Sequence, residues 1–100
     1  SAYRGENAFR IESRFALVML PAAFVVGHGW VEITLLAGSV LLVLVVELLN
    51  SAVEAVVDRG GKHRDPLAGQ AKDMSSAAVL VALLLVLLTW GLILGERFFD

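Results

Sequence analysis

Residues 74–95 carry no charged side chain. That is about 22 residues, enough for ~30 Å of hydrocarbon at a helical rise of 1.5 Å per residue. A 100-residue chain cannot hide such a segment and two more like it from water, because small domains bury too little of their surface. The other two are residues 15–30, where His28 is the one titratable group and Pro21 lies inside, and residues 33–57. None alternates with a period of two, so strands are not expected. The pattern predicts an all-α membrane protein with three transmembrane helices, at about 8–28, 31–59 and 66–97, in a single membrane-embedded domain spanning 1–100. Composition agrees: 58% of residues are hydrophobic and 18% charged. Without cysteine, disulfide and thiol chemistry are excluded. A net charge of −2 points to no nucleic acid or other strongly charged partner.

The breaks between helices are marked by glycine. "GHGW" at 27–30 ends the first helix and leaves Trp30 at an interface, and "RGGKHRDP" at 59–66 ends the second. Asp65 is placed to N-cap the third helix, with Pro66 at its first position. Pro21 removes a backbone donor and predicts a kink that a membrane helix tolerates. Arg4, Arg10 and Arg14 precede the first helix and Arg59, Lys62 and Arg64 crowd the second loop, whereas the first loop has no basic residue. The positive-inside rule therefore predicts a cytoplasmic N-terminus and second loop, with the C-terminus outside and Arg97 as a counter-indication. Residues 1–14 are polar and no small-residue cleavage site follows the first apolar run, so no cleavable signal is expected. A start at "SAYRGENAF" without an initiator Met reads as a trimmed beginning.

The second helix contains an anomaly, "VELLNSAVEAVVDR" at 46–59. At about 100° per residue, Glu47, Asn50, Ser51, Glu54 and Asp58 fall within roughly a 100° arc, and the rest of the circumference is apolar. A carboxylate at mid-bilayer costs roughly 2.5–3.5 kcal/mol on insertion scales, so the stripe must face protein or a wet cavity. One helix pair encloses such a stripe poorly, which predicts oligomerisation. Hydrogen-bonded helix glue accounts for Asn50 and Ser51 but badly for three carboxylates, since helix 2 offers them no basic residue at their depth. The compensating cation must come from Lys72, Arg10 or a bound metal. Oxygen-only ligands at this spacing suit Mg²⁺, which keeps waters and bridges phosphates. Glu47 and Glu54 are separated by about 10.5 Å along the axis, too far to grip one small ion together.

A second cluster, "GQAKDMSSAAV", opens the third helix. Lys72, partnered with Asp73 and sharing a face with Ser76, reads as a phosphate contact above the alternative of a lysine snorkelling to head groups. Gly69, Ser75, Ser76, Ala77 and Ala78 are small and permit close helix approach. Near the start, Glu6 and Arg10 of "ENAFRIE" form an i,i+4 pair, worth a few tenths of a kcal/mol taken alone. "GGK" at 60–62 is not a P-loop, and His28 and His63 lie in different loops and make no common metal site.

Taken together, "ENAFRIE", "VVELLNSAVEAVVDR" and "GQAKDMSSAAVL" resemble the prokaryotic integral-membrane diacylglycerol kinase family, which includes the undecaprenol kinases. The resemblance covers essentially the whole chain. It implies a homotrimeric helical bundle in the bacterial inner membrane, with active sites between subunits, which moves the γ-phosphoryl of MgATP to a lipid hydroxyl. On that resemblance Glu47 is the general base, and Glu6 and Glu54 hold Mg²⁺. ATP meets Glu6, Glu54, Asp58, His63, Arg64, Asp65, Lys72 and Asp73. The lipid meets Ala8, Phe9, Arg10, Ile11, Glu12, Glu47, Asn50 and Ser76. The loop at 63–65 departs from the family's wording, and most of the amphipathic surface helix that opens the family is absent ahead of the acidic element. Burial gives Glu47 a reason for its role, because a shielded carboxylate accepts a proton better than a solvated one.

The expected activity is ATP-dependent phosphorylation of diacylglycerol to phosphatidic acid, with undecaprenol as the alternative acceptor. A proton-coupled transporter would also place a glutamate in a short hydrophobic chain, but leaves Lys72 and Asp73 without a task. A purely structural subunit would use the stripe only for assembly.

Overall fold

The structure, a computed structural model, describes residues 2–59 and 66–99, with side chains from residue 13 onward. Three helices account for nearly all of it: α1 (Ala2–Val26), α2 (Trp30–Asp58) and α3 (Pro66–Phe99). The last two match the expected bounds to within two residues. Helix α1 begins six residues earlier than expected and ends two sooner, and it continues through Pro21. Helix α2 packs against both neighbours, and among the described residues α1 and α3 barely meet.

Small residues set the contact on α1, where Ala16 and Ala23 are seven residues apart and buried. On α2 the buried positions are Leu36, Ser39, Val40, Val43 and Glu47, a single stripe with helical spacing. Ala82, Val86 and Trp90 repeat every four residues on α3. Trp90 also ties the helices by a polar bond, its indole N–H donating to the carbonyl of Leu36 at 3.3 Å. Outside this seam the bundle is oily: Val25, Val31, Val56, Leu87 and Leu92 are all well exposed. Such a surface is unsuited to water and suited to acyl chains. Helices α2 and α3 are long and apolar enough to cross a membrane, while the apolar part of α1, Ser13–Val26, is shorter.

The turn at 27–29 is built on glycine for two separate reasons. A Cβ on Gly27 would lie 2.6 Å from Ile33 Cγ1 and 2.9 Å from the Ala23 carbonyl oxygen, so only glycine lets α1 and α2 meet so closely. Gly29 has a φ of 91°, a conformation L side chains rarely adopt. Glu32, in the first turn of α2, then accepts from the backbone N–H of His28 at 2.9 Å.

Arg97 closes the same end. Its guanidinium pairs with Glu32 at 2.9 Å and donates to the Val26 carbonyl, so the last turn of α3 is fastened to the end of α1 and the start of α2. The counter-indication to an outside C-terminus is thus a cation that already has its anion. Arg97→Ala is expected to cost about 1–2 kcal/mol, from one part-buried ion pair and one carbonyl bond. Glu32→Gln should cost less, since the amide oxygen still accepts. Thermal unfolding in detergent with both variants checks the ranking.

Candidate active site at the polar end of α2 and α3

The buried stripe of α2 runs Leu36, Ser39, Val40, Val43 and then Glu47, where a carboxylate stands at 8% exposure. Burial falls away beyond it. Asn50, Ser51 and Glu54 are half-buried and Asp58 is exposed. Glu47 is shielded within one chain, because α1 and α3 both lie against α2. The outer positions of the stripe stay open.

At this end of the bundle, polar links join Ser75 and Lys72 of α3 to α2. In the first, the Ser75 hydroxyl lies 2.7 Å from Oδ1 of Asn50, whose Nδ2 donates to Glu54 Oε1 at 3.4 Å. In the second, Lys72 Nζ donates to Asp58 Oδ1 at 3.0 Å. The second link corrects the sequence reading, which partnered Lys72 with Asp73. Neighbouring helical residues point about 100° apart, so Lys72 reaches across to α2 while Asp73 faces outward and is exposed. Ser76 is exposed as well. Ser75, read from sequence only as a small packing residue, is the serine that meets the stripe. Its spacing of three from Lys72, the same face of one helical turn, was the available clue.

No buried side-chain nitrogen or oxygen among the described residues lacks a hydrogen-bond partner. The apolar seam therefore accommodates its polar members without an orphaned group. Also among the described residues, no three His, Asp or Glu side chains gather as a metal cage. The side chains of Glu6, Ala8, Phe9, Arg10, Ile11 and Glu12 lie outside the described residues, as do His63, Arg64 and Asp65. The backbone of α1 nevertheless carries the acidic element on the helix that packs against α2.

Residues 1–94 match the family model of prokaryotic diacylglycerol kinase. The chain is 51% identical over 94 residues to a diacylglycerol kinase of Haemophilus influenzae, covering 94% of this chain and 80% of that protein. It is 48% identical over 94 residues to one from Pseudomonas aeruginosa, covering 94% and 76%. For the diacylglycerol kinase of Escherichia coli K12 the figures are 44% over 98 residues, 98% and 80%. A buried carboxylate on an apolar seam, with an amide, a second carboxylate and a lysine one to three turns beyond it, thus occurs in a chain that belongs to the prokaryotic diacylglycerol kinase family.

Proposed function

We propose that this kinase transfers the γ-phosphoryl group of ATP to the hydroxyl of diacylglycerol, giving phosphatidic acid. The observation that carries the reading is Glu47, a buried carboxylate, the one ionisable residue among the described buried positions of α2. Lipid arrives from the apolar side of that residue, and nucleotide from the polar side. Glu47 takes the hydroxyl proton as the lipid oxygen forms its bond to the γ-phosphorus. The bond from that phosphorus to the β–γ bridging oxygen breaks, and ADP leaves with the electron pair. Asn50 and Ser76 flank the lipid with residues 8–12, and Asp58, residues 63–65, Lys72 and Asp73 meet the nucleotide.

Glu54 suits a magnesium site. Its Oε1 accepts one long bond from Asn50, leaving lone pairs for a hard cation, and magnesium commonly uses one or two carboxylates together with substrate phosphates. Glu6 supplies the second carboxylate in this reading. When bound, the ion neutralises charge developing on the phosphate oxygens. Lys72 adds a cation at the nucleotide end, which it delivers by exchanging Asp58 for phosphate.

In the membrane the reading has three spans per subunit, three subunits around a bundle axis, the N-terminus cytoplasmic and the C-terminus outside. Local thinning of the bilayer and snorkelling of the flanking polar residues let the shorter apolar part of α1 serve as a span. The Arg97–Glu32 pair supports that orientation, since it leaves the α1–α2 end without an uncompensated positive charge.

The test is transfer of radiolabelled phosphate from MgATP to lipid in nanodiscs, with diacylglycerol and undecaprenol side by side. Faster transfer to diacylglycerol is expected. Preference for undecaprenol would change the substrate and keep the chemistry, and no transfer to either would end the reading.

A further inference from the structure

Ser75 stands one helical turn beyond Lys72 on α3, with its hydroxyl 2.7 Å from Asn50 Oδ1 and 3.0 Å from the Lys72 carbonyl oxygen. Both neighbours accept, and the hydroxyl has one proton to give. The other end of the Asn50 amide faces Glu54 Oε1 at 3.4 Å. Turned over, that amide would set its own oxygen against the carboxylate. The acceptor-only carboxylate therefore specifies the amide's orientation, and the shorter contact, to the Ser75 hydroxyl, holds it in place.

We propose that Ser75 is a positioning residue of the phosphoryl-transfer site: its hydroxyl holds the Asn50 amide with the NH₂ toward Glu54, and so fixes where the Glu54 carboxylate stands. Ser75 touches no reacting atom and acts through Asn50. The inference rests on Glu54 being a carboxylate that holds the divalent ion brought with ATP. An alanine fits the same space, so a simple packing role predicts no effect on ion affinity.

The experiment uses the full chain in nanodiscs and measures the Mg²⁺ concentration for half-maximal transfer, separately from kcat, with Mn²⁺ binding followed by the EPR signal of the free ion. Ser75→Ala is expected to raise both ion constants roughly three- to tenfold, the worth of one neutral hydrogen bond, with kcat moving less. Ser75→Thr, which keeps the hydroxyl, should restore them. In an Asn50→Ala background, Ser75→Ala should add no further shift in Mn²⁺ binding. Unchanged ion constants in Ser75→Ala, or an equal shift without the Asn50 amide, would overturn the proposal. So would a lower unfolding midpoint with the ion constants unmoved. If Glu54→Gln also leaves the ion constants at wild-type values, the assignment of Glu54 fails first. If Glu54→Gln shifts them and Ser75→Ala does not, the role of Ser75 alone is lost.

Discussion

Glu47→Gln is expected to slow lipid phosphorylation by roughly 10²- to 10⁴-fold, the range that a positioned general base contributes. The substitution preserves volume and hydrogen-bonding capacity at a site that is 8% exposed. The stripe formed with Leu36, Val40 and Val43 should therefore still pack against α1 and α3. What is lost is the ability to take a proton. The apparent KM for ATP should change little, because the proposed nucleotide contacts, Glu54, Asp58 and Lys72, stand one or more turns beyond Glu47. Rates of phosphate transfer to diacylglycerol, with the unfolding midpoint measured in parallel, separate the two possible roles. A rate within a few-fold of wild type would make Glu47 a packing residue with a hydrogen bond, as the structural-subunit reading holds.

Much of this architecture is legible in the sequence for a definite reason. Lipid-facing helices show themselves by unbroken apolar composition, and the breaks at 27–29 and after Asp58 are announced by glycine. The polar stripe on α2 is legible because angular position within one helix follows from the 3.6-residue period alone. What the period cannot supply is register between helices. The pairing of Lys72 with Asp58, the reach of Ser75 to Asn50, and the bond from Trp90 to the Leu36 carbonyl all depend on how far α3 has slid along α2. Arg97 shows the same limit from the other end. As a lone charge it argued about topology, and its partners Glu32 and Val26 lie 65 and 71 residues away in sequence. The early start of α1 escaped for a different reason. Apolar periodicity marks where a helix enters lipid, whereas the polar residues before it, Arg4 and Glu6 among them, are also adequate helix formers.

Glu54→Gln should act on the ion and not on the proton. The glutamine oxygen can still accept from Asn50 Nδ2, so the chain from Ser75 through Asn50 keeps its shape and loses only a charge. Magnesium at such a site relies on one or two carboxylates and on phosphate oxygens, so removing one negative ligand is a large fraction of the protein's share. A loss of about 10²- to 10³-fold is expected at ordinary Mg²⁺ concentrations, consistent with several kcal/mol of charge stabilisation from the metal. Raising Mg²⁺ should recover part of that loss, and chelation with EDTA should abolish transfer by the unaltered protein. In Glu47→Gln the residual rate should follow the wild-type Mg²⁺ dependence, and metal beyond saturation should recover none of the loss. The pair of titrations assigns the two carboxylates independently: a Mg²⁺ response restored in Glu47→Gln, with none in Glu54→Gln, would exchange their roles. It would also place the ion at the apolar end of the stripe, where the buried seam begins.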